Sequence, residues 1–159
     1  MMSEDFVVDA VEVFVVNAGW VVTSKAHAHQ QGDDLVAISS TLRLRVEAKG
    51  SGSSKPGTRR FGQSFTGGQV KTHVAVAVLR AMSWYHEANQ PTLMALALPR
   101  DDAHRLQIAK VKPALDRLRI GVFWVSKDGS VDVDAPWSLY RCSPDHSSLD
   151  STDALMPEA

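Results

Sequence analysis

The sequence lacks several features that mark common classes of protein. It has one cysteine, Cys142, in 159 residues, which excludes an internal disulfide framework and suits a reducing compartment. No run approaches the ~18 apolar residues of a membrane helix. The first residues, Met-Met-Ser-Glu-Asp, lack the basic start of a signal peptide. These absences predict a cytoplasmic protein with no membrane partner, and the chain is long enough for one domain with its own core.

Charge of one sign is missing from two long stretches. From Ala48 to His86 there is no Asp or Glu, and the cations in that stretch are Lys49, Lys55, Arg59, Arg60, Lys71 and Arg80. A basic segment of this kind favours a polyanionic partner such as nucleic acid. Residues 142–159 have no Lys or Arg. Their polar, acidic composition predicts a disordered tail over 141–159, after a single domain over residues 1–140.

Hydrophobic periodicity predicts an α/β fold with the element order αβββαβαββ. Residues 5–18 are predicted as a helix because Asp5, Asp9 and Glu12 form one polar stripe, although the alternating valines at 11, 13 and 15 also fit a strand. Three strands are expected next, at 20–25, 34–39 and 42–48. A helix over 69–87 follows, and its apolar face is predicted to be Val70, Val74, Ala77, Val78, Ala81 and Met82.

The C-terminal half of the domain alternates buried strands with one helix. The apolar runs 93–98 and 120–125 have no polar alternation, as in strands buried on both faces. Between them we expect a helix to about Leu118, which Pro113 should kink or interrupt. Lys127-Asp128-Gly129 predicts a turn before a last strand at 130–133.

Charged residues flank the hairpin predicted from strands 34–39 and 42–48. The short polar turn Ser39-Ser40-Thr41 places the start of the first strand beside the end of the second. Asp34 should therefore lie near Glu47 and Lys49, which are two residues apart and share one strand face. The alternative is a surface hairpin with a solvated ion pair.

Two carboxylates and an ammonium group at one sheet edge suit phosphodiester cleavage. Carboxylate oxygens are the ligands that Mg²⁺ prefers, and the metal polarises a phosphoryl group and lowers the pKa of a bound water. A neighbouring lysine can orient that water or stabilise charge in the transition state.

The arrangement resembles the PD-(D/E)XK nuclease superfamily, which has the restriction-endonuclease-like fold. Asp34 matches the first aspartate of the motif, and Glu47-Ala48-Lys49 matches its E-x-K. Asp33 stands where the motif has proline. The resemblance implies an αβββαβ core over about residues 5–98, extended here by a C-terminal αββ unit. It also implies a Mg²⁺ (or Mn²⁺) ion held by Asp34, Glu47 and the Ala48 carbonyl.

The resemblance suggests further site residues on both predicted helices. The superfamily often takes an acidic residue from its first helix, for which Glu12 is the candidate and Asp9 the substitute. Several branches carry Gln-x-x-x-Tyr after E-x-K, and this chain has Gln69 and then His73 in place of tyrosine. Gln69 would orient the lysine or contact substrate, and His73 would bind phosphate or assist proton transfer. Alternatively, Gln69 simply begins a helix and His73 is a partly buried histidine.

The segment 50–68 is rich in glycine and serine and is long for a loop inside a domain. Its cations Lys55, Arg59 and Arg60, together with Lys71, are predicted to contact a nucleic-acid backbone. Phe61 and Phe65 would stack on a base or pin the loop to the core, and a flexible linker is the alternative.

The expected function is Mg²⁺-dependent hydrolysis of nucleic acid by an endonuclease or a resolvase-like enzyme of repair or defence. The resemblance implies DNA as the substrate. The alternative is a catalytically silent nucleic-acid-binding or accessory subunit with the same fold. A domain this small has little surface for specific recognition, so we expect a homodimer or a larger complex.

Overall fold

A computed structural model describes residues 1–27, 32–52 and 62–139, and these form an α/β fold with the predicted order of elements. The elements are α1 (Glu4–Asn17), β1 (Val21–Lys25), β2 (Leu35–Ser39), β3 (Leu42–Ala48), α2 (Gly67–Glu87), β4 (Thr92–Pro99), α3 (Asp102–Arg117), β5 (Ile120–Val125) and β6 (Val131–Asp134). The predicted tail 141–159 and the loop residues Lys55, Arg59, Arg60 and Phe61 lie outside the described residues.

The six strands form one mixed sheet in which each strand lies beside its neighbour in the chain. β1, β2 and β3 form an antiparallel meander. β3, β4 and β5 are parallel to one another, and β6 returns antiparallel to β5. Because parallel strands end at the same edge, the last residues of β3, β4 and β5 lie together there.

The sheet separates two apolar layers. On one face, valines of α1 pack against Leu44, Val46 and Ala48 of β3. On the other face, α2 and α3 pack against Leu96 of β4 and Val122 of β5. β4 and β5 contribute alternate residues to both layers, which explains why their sequences are continuously apolar. None of the three helices in the described part of the chain is long and apolar enough to cross a membrane.

Two predicted details of the helices are wrong. Met82 is 45% exposed, whereas Trp84, two residues later, is fully buried, because the face of α2 that meets the sheet includes residues 77, 81 and 84. Pro113 does not interrupt α3, which continues from Asp102 to Arg117; the alternative, a kink at Pro113, stays a prediction. Pro113 and Ala109 are both exposed, so water can reach the Ala109 carbonyl whose helical hydrogen bond the proline removes.

Candidate functional site

The β2–β3 hairpin places Asp34 beside the end of β3. Leu35 pairs with Val46, so Asp34, the residue before β2, lies level with Glu47. The Ala48 N–H donates to Asp34 Oδ2 with an N···O distance of 2.6 Å. The Asp34 carboxylate therefore accepts the hydrogen bond of the last amide of β3.

Lys49 brings its ammonium group into the same space. Its Nζ lies 2.7 Å from Glu47 Oε1, 2.7 Å from the Ala48 carbonyl oxygen and 3.9 Å from Asp34 Oδ2. The Lys49 side chain is only 12% exposed. The ammonium group is thus held among the oxygens of Asp34, Glu47 and Ala48.

Helix α1 adds a third carboxylate, from Glu4 rather than from Glu12 or Asp9. Glu4 Oε2 lies 3.6 Å from Lys49 Nζ. Glu12 instead pairs with Lys25 at 2.6 Å, and Asp9 pairs with Lys25 at 3.1 Å. Glu12 follows Glu4 by eight residues, or about 12 Å along a helix. We call Glu4, Asp34, Glu47 and Lys49 the Lys49 cluster.

The start of α1 is tied directly to the segment after Lys49, which explains the position of Glu4. The Met2 N–H donates to Ser51 Oγ and the Ser51 N–H donates to the Met2 carbonyl, both at 2.8 Å. A Cβ on Gly50 would lie 2.7 Å from the Glu4 nitrogen, so only glycine allows this approach. Ser3 caps the helix by accepting from the Phe6 N–H. The Ser3-Glu4-Asp5 start is the signal in the sequence that could have indicated Glu4.

The surplus of negative charge perturbs the acids of the Lys49 cluster. Burial and the neighbouring Glu47 charge raise the pKa of Asp34 to about 7. Burial also raises the pKa of Glu4. Burial alone would lower the pKa of Lys49, but Glu47, Glu4 and Asp34 outweigh it, and the pKa is raised. The lysine therefore stays charged while the carboxylates around it compete for one cation.

The donor set is chemically suited to a hard divalent cation. Among the described residues, no group of three or more His, Cys, Asp or Glu side chains is placed to hold a metal ion. The fit therefore depends on two carboxylates, Asp34 and Glu47, together with the Ala48 carbonyl. All three supply oxygen, the ligand atom of Mg²⁺, and a cationic group already lies among them in Lys49.

The first turns of α2 place the remaining predicted residues near this edge of the sheet. Gln69 forms a capping box with Thr66, whose N–H donates to Gln69 Oε1 at 3.0 Å. Within the described residues, its hydrogen bonds are with Thr66 and not with Lys49. His73 stacks on Phe65 with ring centroids 4.2 Å apart. Burial, and then the charge of Lys49, lower the pKa of His73. Lys71 is exposed.

A second buried polar cluster was not predicted. Asp33 is 9% exposed and receives a bidentate pair from Arg45, with Nε to Oδ2 at 2.7 Å and Nη2 to Oδ1 at 2.9 Å. Arg45 lies on the face of β3 that meets α2. Arg45 Nη2 also donates to Glu87 Oε2 of α2 at 2.8 Å. The residue that replaces the motif proline is therefore anchored to both β3 and α2.

Two more residues of α2 complete this cluster. Arg80 Nη2 and the Trp84 indole N–H donate to Asp33 Oδ1, at 2.9 Å and 3.2 Å. The Arg45 guanidinium lies 4.7 Å from the centre of the Trp84 ring. Burial alone would raise the pKa of Asp33, but the two guanidinium groups outweigh it and lower the pKa. We call Asp33, Arg45, Arg80, Trp84 and Glu87 the Asp33 cluster.

Comparison with known proteins assigns no family to the chain. No protein-family model matches it, and no curated protein matches its sequence. The function is therefore inferred from the contacts and charges described above.

Proposed function

We propose that the protein is a metal-dependent nuclease that hydrolyses phosphodiester bonds, with DNA as its substrate. One observation supports this most directly: Asp34, Glu47, the Ala48 carbonyl and Lys49 meet at the end of β3. The αβββαβ order of the first six elements also agrees with the core of the PD-(D/E)XK nucleases. We therefore propose the restriction-endonuclease-like fold together with the activity.

Each residue of the Lys49 cluster has a role in that reaction. Asp34, Glu47 and the Ala48 carbonyl would hold Mg²⁺ or Mn²⁺, which supplies charge neutralisation at the phosphoryl oxygens and an acidified water. Lys49, freed from Glu47, would hold the attacking water in line with the phosphorus and donate to a developing oxyanion. Glu4 would accept hydrogen bonds from that water at the α1 side of the site.

The substrate class follows from charge. The proposed backbone contacts are Lys71, which is exposed at the start of α2, and Lys55, Arg59 and Arg60. His73, on the next turn of α2, would contact the same phosphate. The cationic stretch after β3 begins directly at the site, so a polyanion bound there would pass over the carboxylates.

The test is cleavage of radiolabelled linear, nicked, single-stranded and branched DNA, with Mg²⁺, Mn²⁺ or EDTA. We expect cutting that requires metal and that falls about 10²-fold or more in Lys49→Ala, as when a transition-state donor is removed. Lys112→Ala is the matched control, because Lys112 also pairs with two carboxylates, Asp116 and Asp134, but on α3 and away from the Lys49 cluster.

The alternative is an accessory subunit that binds nucleic acid without cutting it. Cleavage that survives in Lys49→Ala would refute the proposed site. If wild type cuts none of the four substrates with any metal but binds them in a salt-sensitive way, the accessory role replaces the nuclease.

A further inference from the structure

We infer that Asp33 is a positioning residue: the Asp33 cluster holds the start of β2 so that Asp34 points at the end of β3. The inference goes beyond the proposed function, but its consequence for metal binding and cleavage rests on that function. Asp33 would touch neither metal nor substrate. It would act only through the backbone that it shares with Asp34.

The contacts of Asp33 restrain that backbone from two sides. Arg45 reaches it from β3 and Arg80 and Trp84 reach it from α2. Four hydrogen bonds therefore fix one buried carboxylate: two from Arg45, one from Arg80 and one from Trp84. A carboxylate bound in this way cannot rotate without leaving the buried Arg45 guanidinium short of a partner, which is costly.

The geometry makes Asp34 depend on this anchor. Asp33 and Asp34 are consecutive, but their carboxylates have different partners: Asp33 binds residues of β3 and α2, and Asp34 accepts from the Ala48 N–H. Glycine precedes them, and Gly32 has a φ of +130°, a conformation open to glycine but strained for other residues. The backbone here is held by the anchor at Asp33, by the ladder that begins at Leu35 and by the Ala26 N–H, which donates to the Asp34 carbonyl at 3.1 Å. The Asp34 side chain has one described hydrogen bond, from the Ala48 N–H.

The hydrogen bond between Ala48 and Asp34 can be measured without metal or DNA. The Ala48 N–H donates to the Asp34 carboxylate, whereas the next amide, Lys49 N–H, donates to the Ala97 carbonyl of β4. Displacement of Asp34 should deprotect the first amide and spare the second. The Lys49 amide is therefore an internal control in every spectrum.

The experiment measures amide hydrogen exchange by NMR and Mn²⁺ affinity by calorimetry in wild type, Asp33→Asn and Arg80→Gln.

In Asp33→Asn we expect the Ala48 amide to exchange about tenfold faster, because a charge-assisted hydrogen bond weakens. We expect Mn²⁺ to bind about tenfold more weakly, because a residue that orients a metal ligand is lost. Arg80→Gln should show smaller changes of about threefold. Arg80 is partly exposed, so this variant tests the inference even if Asp33→Asn does not fold.

Lys112→Gln, which removes two ion pairs elsewhere, should change neither readout. Wild-type exchange at Ala48 and wild-type Mn²⁺ affinity in folded Asp33→Asn, or in folded Arg80→Gln if the first variant does not fold, would overturn the inference. If wild type binds no Mn²⁺ and cuts no DNA, the proposed function fails, while exchange at Ala48 still decides whether Asp33 positions Asp34.

Discussion

Asp33 and Asp34 are neighbours in the chain but lie in opposite electrostatic environments. Asp33 faces two guanidinium groups, and its cluster contains two carboxylates and two cations. Asp34 faces Glu47 and Glu4 across a single ammonium group, so its cluster contains three carboxylates and one cation. The pKa of Asp33 is lowered, whereas burial and Glu47 raise the pKa of Asp34 to about 7.

The difference agrees with the positioning role inferred for Asp33 and the functional role proposed for Asp34. A cluster with balanced charges and satisfied hydrogen bonds is complete without a ligand. A cluster with surplus negative charge is complete only when it gains a proton or a cation, and perturbed acids of this kind are typical of functional sites. The three predictions below test this contrast, beginning with the largest effect.

The Asp33 cluster should be the more costly of the two to break. Arg45→Met would leave Asp33 buried with one guanidinium partner instead of two, and we expect the free energy of unfolding to fall by about 3–5 kcal/mol. Urea unfolding at pH 7 measures it. Arg43→Met, on the same face of β3 but less buried, is the control and should cost less than about 1 kcal/mol. Equal losses in the two variants would contradict the contrast.

Neutralising Asp34 should raise the free energy of unfolding, whereas breaking the Asp33 cluster should lower it. The folded pKa of Asp34 is raised to about 7, above its unfolded value of ~3.9, so between these values the folded protein holds a proton that the unfolded chain has lost. The contribution of Asp34 to wild-type stability therefore falls as the pH rises from 4 to 7. Asp34→Asn cannot ionise, so it should exceed wild type by about 2 kcal/mol at pH 8 and by much less at pH 5. Urea unfolding at the two pH values checks this, and a pH-independent difference would refute it.

Metal binding should give the smallest change in stability, and it should distinguish Glu4 from Glu12 on α1. Mg²⁺ at ten times its dissociation constant should add about 1.4 kcal/mol to the free energy of unfolding, or about 4 °C in Tm. Glu4→Gln should reduce this gain at the same Mg²⁺ concentration, because it removes a carboxylate beside Lys49. Glu12→Gln, on the same helix but paired with Lys25, should not. Differential scanning fluorimetry with and without EDTA makes the comparison, and equal behaviour of the two variants would count against Glu4.

Local patterns predicted most of the fold. The polar turn at 39–41 between two apolar runs predicted the β2–β3 hairpin and the proximity of Asp34 to Glu47 and Lys49. The turn at 127–129 is also confirmed, since Ser126 and Ser130 are hydrogen-bonded across it and Gly129 has a φ of +84°. These features depend on residues close in sequence, where turn chemistry and alternation are decisive.

Long-range packing decided what the sequence did not reveal. Which acid of α1 reaches Lys49 depends on where the helix begins against the sheet, and that is fixed by Gly50 and Ser51 on a distant segment. Periodicity instead favoured the stripe of Asp5, Asp9 and Glu12, which is a regular feature of the helix alone. The Asp33 cluster joins residues 12 to 51 positions apart, and no local pattern indicates such partners.

The strand order of the sheet has a consequence for assembly. Because each strand lies beside the one made just before it, the sheet can extend in step with synthesis, and no later strand must insert between earlier ones. The pairing of Asp34 with the end of β3 closes a loop of 14 residues, whereas the bonds of Asp33 to α2 wait until residue 84 has been made. The contact of Asp34 with β3 can therefore form before the α2 anchor of Asp33 exists.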